Sequence, residues 1–139
     1  MKRSNVLTNH TLIIDELEKS FKLHNWHFIL SFLPTGSYLV GGYIRDIILK
    51  RATEEVDVDI VVPFNAIEIG KMISENIKSK FIILDKEREV VRIILNHISI
   101  DIANQISSTI EGDLRSRDFS INSIACLLYT SDAADDLLC

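Results

Sequence analysis

Two aspartates, Asp57 and Asp59, stand two positions apart in the otherwise aliphatic run 56–62. Side chains alternate between the faces of a β-strand, so both carboxylates leave the same face, with Cα atoms roughly 6.5–7 Å apart. Carboxylates this close repel each other unless a cation lies between them. Mg²⁺ prefers such oxygen ligands and suits displacement at phosphorus, so the pattern predicts a magnesium site. The alternative is an exposed strand with two solvated acids.

Two glycines precede this pair in the chain. Gly41 and Gly42 follow the apolar segment 37–40 and lead into a helix-like segment, 43–50. Glycine lets the backbone turn tightly and approach a ligand, and the N–H groups at the start of a helix favour a phosphate. Arg45 adds a forked donor for the same anion. The alternative is a tight turn in which Arg45 pairs with Asp46 on the surface.

A third carboxylate, Asp101, lies in the alternating segment 98–103. Its neighbours Ile100 and Ile102 share one face of the predicted strand, so Asp101 leaves the other face, as Asp57 and Asp59 do in their strand. If the two strands are neighbours, three carboxylates line one polar face. An ordinary solvated aspartate is the equal alternative.

These motifs resemble the head domain of the bacterial-type tRNA nucleotidyltransferases (CCA-adding enzymes) and bacterial poly(A) polymerases. The resemblance rests on the segment 39–49, on Asp57-Val58-Asp59, and on the segment 113–125, which is similar to the family's Arg-Asp-Phe-Thr-Ile-Asn-Ala element. It covers about residues 35–125. It implies an α/β (α+β) fold, the polymerase-β-like nucleotidyltransferase head, with a mixed β-sheet and helices on one face.

The resemblance also assigns roles to individual residues. Asp57 and Asp59 hold the metal, and Asp101 supports the metal site or activates the attacking hydroxyl. The remaining implied nucleotide-binding residues are Gly41, Gly42, Arg45, Asp46, Arg115, Arg117, Asp118 and Asn122. Of these, Arg117 is placed at the triphosphate, with Asp118 and Asn122 near the sugar or bracing the pocket. From the residues alone, Asp118 is also a good helix N-cap and Arg117 an ordinary surface arginine beside it.

The hydrophobic pattern predicts an alternation of helices and strands. Helices are expected before Pro34, over 43–50, and from an N-cap at Asn65 to about Lys80. Strands are expected over 37–40, 56–62, 81–84, 90–95 and 98–103, with a charged turn at 85–89 and a second turn at Asn96-His97.

Composition fits one domain with a single core, since the chain has 139 residues and is 47% hydrophobic. No segment approaches the ~20 apolar residues of a membrane span, and the N-terminus lacks the apolar stretch of a secretion signal. We therefore expect a cytoplasmic protein without membrane contact. The net charge of −5 argues against strong RNA binding by this chain alone, because RNA affinity needs basic residues.

Residues 126–139 leave the family pattern abruptly and resemble the translation of a sequencing-library adaptor. We treat them as a non-native tail; a genuine amphipathic terminus is the alternative. The predicted division is an N-terminal helical segment 1–34, a head domain 35–125 and this tail. Both cysteines and three unpaired acids lie in the tail, so residues 1–125 contain no thiol and carry a net charge of −2.

The predicted function is transfer of CMP or AMP from CTP or ATP to an RNA 3′ end, with Mg²⁺ as cofactor and the tRNA 3′ end as acceptor. CCA, A-only and C-only addition and polyadenylation remain open, because the family's base-selecting element and tRNA-binding domains lie downstream of the Arg-Asp-Phe motif. The isolated fragment is expected to be inactive. A non-catalytic nucleotide- or partner-binding module is the alternative of another class. Transfer to a small molecule or protein is disfavoured by the segment 117–122, which carries that motif.

Overall fold

A mixed sheet and the helix packed on it make up the part of the chain that the computed structural model describes, residues 29–43, 46, 55–107, 109, 112, 125–128 and 137–138. The elements are β1 (Ser37–Val40), β2 (Val56–Val62), α1 (Ala66–Ile77), β3 (Lys80–Asp85), β4 (Val90–Leu95), β5 (Ile98–Asn104), β6 (Ala125–Leu128) and β7 (Leu137–Leu138). Across the sheet the strands run in the order β3-β4-β5-β2-β1-β6-β7. The predicted fold class, a mixed sheet with helical packing on one face, is confirmed.

The only parallel contact among these strands joins β2 to β5. Parallel neighbours need a long crossover connection, and here it consists of α1 and the β3–β4 hairpin. The register places Val58 beside Ile100 and Ile60 beside Ile102. All four side chains are buried in the core, so their burial fixes which face of β2 and β5 is apolar.

Helix α1 covers the apolar face of the sheet through a close approach at Gly70. A Cβ atom at this position would lie 2.6 Å from Val91 Cγ2 and 3.2 Å from Phe81 Cε2. Ile69 and Ile73 flank this contact and are buried in the same core. The missing side chain at Gly70 therefore sets the distance between helix and sheet.

The start of α1 differs from the sequence prediction. Asn65 does occupy the N-cap position, but its backbone is left-handed and its side chain makes no capping hydrogen bond. The backbone N–H of Ala66 instead donates to Asn104 Oδ1, 2.9 Å away at the end of β5. The predicted N-cap position is confirmed, but the capping hydrogen bond does not come from Asn65, and α1 ends at Ile77, before the predicted Lys80. A side chain 38 residues away in sequence performs the capping.

The ends of the chain lie largely outside the described residues. This applies to nearly all of the predicted N-terminal helical segment and to most of the helix predicted over 43–50. Of that helix Tyr43 and Asp46 are described and helical, as is Gly42 directly before it. The backbone of β6 pairs with β1. Three of its four residues belong to the segment 126–139, whose non-native origin stays a prediction. Within the described part, no helix is long and apolar enough to cross a membrane.

Replacing Gly70 by alanine tests the helix–sheet contact. Alanine favours a helix by about 1 kcal/mol relative to glycine. We nevertheless expect Gly70→Ala to lower the free energy of unfolding, by about 1 kcal/mol net, because overpacking costs about 1–3 kcal/mol and the buried, β-branched Val91 cannot turn away. Urea denaturation measures the effect. Lys71→Ala, on the exposed side of the same helix, is the control and should leave stability nearly unchanged. Equal or greater stability of Gly70→Ala would contradict this packing.

Candidate active site

The three predicted carboxylates leave the face of the sheet opposite α1. Asp59 and Asp101 are direct partners in the parallel register of β2 and β5, and Asp57 is paired with Ser99 two residues earlier. Neighbouring strands lie about 4.8 Å apart, so Asp59 and Asp101 stand side by side on this polar face. Asp57 is exposed, while Asp59 and Asp101 are half-buried. The structure thus brings together the carboxylates that the sequence places in separate strands.

Gly41 closes the site from the side of β1. The antiparallel register pairs Val40 with Asp59, so the chain turns at Gly41 directly beside this aspartate. Gly41 has a φ of +82°, and a Cβ atom there would lie 3.0 Å from Asp59 Oδ2. Both the backbone conformation and the space therefore require glycine. The two halves of the sequence motif, the glycines and the aspartate pair, are in contact in the fold.

Arg92 on β4 holds the third carboxylate. Its Nε donates to Asp101 Oδ1 at 2.7 Å, and its Nη2 donates to Asp101 Oδ2 at 2.9 Å, which makes a bidentate ion pair. The pKa of Arg92 is raised above its ordinary value, first by this hydrogen bond and then by the charge of Asp101, with smaller contributions from Asp57 and Asp59. The guanidinium therefore faces the negative field of all three aspartates.

Sequence reasoning missed Arg92, although a signal for it existed. Arg92 interrupts the aliphatic run Val90–Leu95 at a position that alternates with the buried residues Val91 and Ile93. The two-residue turn at Asn96-His97 pairs Leu95 with Ile98. Three residues further from the turn on each strand, Arg92 is paired with Asp101. The hairpin register alone could have identified the partner of Asp101.

The described residues fit a divalent cation held by two carboxylates. Asp57 and Asp59 offer two carboxylates on one face of β2. Mg²⁺ commonly takes one or two carboxylates and completes its shell with water and substrate phosphates. The space left by Gly41 beside Asp59 Oδ2 keeps this carboxylate accessible from the β1 side.

Other predicted site residues lie outside the described part of the chain. These are Arg45, Arg115, Arg117, Asp118 and Asn122, whose roles stay predictions. Asp46 is described; it is half-buried in the helical segment after Gly42.

A family comparison agrees with this geometry. The family model described as the poly A polymerase head domain matches residues 37–138. The chain belongs to this family. The matched region includes β1, which Gly41 directly follows, and β2 and β5, which carry the three aspartates.

The chain is similar to curated proteins that are CC-adding tRNA nucleotidyltransferases. The head domain is 42% identical over 98 residues to a CC-adding tRNA nucleotidyltransferase of Synechocystis sp., a match that covers 70% of this chain and 24% of the relative. A CC-adding tRNA nucleotidyltransferase of Geobacter sulfurreducens is 37% identical over 104 residues, covering 73% of this chain and 24% of that protein. The chain thus spans about a quarter of the length of the curated relatives that it matches.

Solved structures share the fold. A CCA-adding enzyme in complex with CTP superimposes with a TM-score of 0.71 at 28% identity, over 91% of this chain and 31% of that one. A tRNA nucleotidyltransferase with a primer tRNA and an incoming ATP analogue gives a TM-score of 0.59 at 28% identity, over 73% and 30% of the two chains.

Gly41→Ala tests the contact between the turn and Asp59. Alanine at a positive φ costs about 1–2 kcal/mol, and its Cβ would also press on the Asp59 carboxylate. Gly36→Ala is the matched control, because Gly36 has a φ of +90° but its nearest Cβ neighbour, Pro63 Cγ, is 4.0 Å away. We expect both variants to lose similar stability in thermal melts, while only Gly41→Ala loses Mn²⁺ affinity by about tenfold or more. Equal Mn²⁺ affinities in the two variants would refute the contact.

Proposed function

We propose that this head domain is the catalytic part of a metal-dependent nucleotidyltransferase that adds nucleotides to the 3′ end of tRNA. The observation that carries the proposal is the placement of Asp57 and Asp59 on one polar face beside Gly41. CMP transfer from CTP is the preferred reaction, since the Synechocystis and Geobacter relatives are CC-adding tRNA nucleotidyltransferases. Location in the cytoplasm belongs to the same proposal.

The chain's own residues supply the metal site and its surroundings. Asp57 and Asp59 hold Mg²⁺, and Gly41 gives the Asp59 carboxylate room to do so. When bound, Mg²⁺ stabilises charge on the transferred phosphate and the leaving pyrophosphate and activates the attacking hydroxyl. The charge of Asp101 is balanced by Arg92. The formal charges of Asp57 and Asp59 together match that of one divalent cation.

The two carboxylates do not stabilise the fold through each other. They lie on one face of β2, and like charges this close repel each other. Their removal should therefore leave the folded state intact while it removes the metal site. A catalytic head should then lose nucleotide transfer without losing stability.

Asp57→Asn and Asp59→Asn, made in the full-length protein, test the proposal directly. Each should lower CMP incorporation into a tRNA that lacks its 3′ CCA by at least about 10³-fold, because electrostatic stabilisation of this size depends on the cation. The melting temperature should stay within a few degrees. Incorporation of radiolabelled CMP and AMP is measured on a sequencing gel, with Glu75→Gln on the exposed side of α1 as the control.

The products decide between the remaining activities. Two added C residues and no A support CC addition, whereas CCA, a single A or an A-tail would assign the other reactions. Near-normal incorporation by both aspartate variants would rule out the proposed site. Metal-dependent nucleotide binding without transfer by the wild-type protein would favour the non-catalytic module.

A further inference from the structure

The Arg92–Asp101 ion pair is bidentate although it contributes little to the stability of the fold. The Arg92 side chain is 41% exposed and that of Asp101 25% exposed. Exposed ion pairs contribute only about 0.2–1 kcal/mol, so this one adds little to the free energy of unfolding. Yet both oxygens of Asp101 are engaged by the fork of one guanidinium. Such a bidentate contact fixes the plane of the carboxylate as well as its position.

The position of this pair in the sheet suggests what the bidentate contact does. Asp101 lies between Arg92 on β4 and Asp59 on β2, since each is its direct partner in the register. Without Arg92, Asp101 would be free to turn towards the neighbouring strand. Three carboxylates would then face one another, and Asp101 could join the metal as an extra ligand.

We propose that Arg92 is a positioning residue that holds Asp101 away from the metal, so that Asp57 and Asp59 alone bind the cation. The inference rests on the proposed function and deepens it. Arg92 also sets the charge of the site, because removing it takes away one positive charge and leaves Asp101 without this guanidinium partner. A cation held by three carboxylates binds more tightly and gives up coordination positions that the substrate phosphates need. Tighter metal binding and slower transfer therefore belong together.

Arg92→Gln in the full-length protein separates this role from a structural one. Without nucleotide, we expect Mn²⁺, measured by the electron paramagnetic resonance of the free ion, to bind several-fold more tightly than in wild type. The kcat for CMP incorporation should fall about 10–100-fold, the loss that is typical when a residue that orders the surroundings of a metal site is replaced. A variant that is merely less well folded would lose both metal binding and activity. Arg88→Gln, which removes the same charge from the exposed turn after β3, should change neither quantity.

A double-mutant cycle tests whether Arg92 acts through Asp101. Asp101→Asn leaves Arg92 without its partner and close to Asp57 and Asp59, so this variant should bind Mn²⁺ more weakly. In the Asp101→Asn background, Arg92→Gln should change kcat by less than about twofold, because residues that act as one unit are not additive. The double variant restores the wild-type net charge, and its Mn²⁺ affinity should return towards the wild-type value. Because the double variant replaces both partners, neither is left unpaired, and it can be measured even if Arg92→Gln folds poorly.

Arg92→Lys shows whether the bidentate hydrogen bonding of the guanidinium or only its positive charge matters. Lysine keeps the positive charge but cannot make the bidentate contact, so its kcat should lie closer to that of Arg92→Gln than to wild type. Unchanged or weaker Mn²⁺ binding by Arg92→Gln overturns the inference, as does an equal loss of kcat in both Asp101 backgrounds. These results leave the proposed function standing if the wild-type protein incorporates CMP. If it incorporates none while the Mn²⁺ pattern holds, the function fails and the role of Arg92 stands.

Discussion

The parallel register of β2 and β5 is the constraint on which the site depends. It is fixed from the apolar side, where Val58, Ile60, Ile100 and Ile102 are buried under α1. A shift of either strand by one residue would turn its buried aliphatic side chains towards solvent and its acidic side chains towards the core. The energy that buries the aliphatic side chains therefore also keeps Asp59 beside Asp101. The chemistry on one face of the sheet is positioned by packing on the other.

The other parts of the site follow from this pair of strands. β1 joins the outer side of β2 and ends beside Asp59, so the turn at Gly41 meets the carboxylate. β4 joins the outer side of β5 and brings Arg92 to Asp101. The site thus spans the four adjacent strands β4, β5, β2 and β1, with Gly41 at one side and Arg92 at the other. The crossover that makes β2 and β5 parallel also carries α1, which buries the opposite face.

Periodicity in the sequence predicts much of this fold. The strand over 56–62 has the predicted bounds, and the alternation around Asp101 correctly gives its face. Contacts between residues that are far apart in sequence cannot be predicted from periodicity alone. The cap of α1 comes from Asn104, which local reasoning about Asn65 cannot find. Arg92 looked like an ordinary member of an aliphatic strand because its role depends on a partner in the next strand. The predicted contributions of Arg45 and Arg117 lie outside the described residues.

We propose that Asp57 and Asp59, and not Asp101, bind the catalytic metal. A crystal structure of the full-length protein with Mn²⁺ and a non-hydrolysable CTP analogue would decide this, because the anomalous signal of manganese locates the ion. We expect a peak coordinated by oxygens of Asp57, Asp59 and the triphosphate, with Asp101 still paired to Arg92. A peak coordinated by Asp101, or one away from both Asp57 and Asp59, would contradict it.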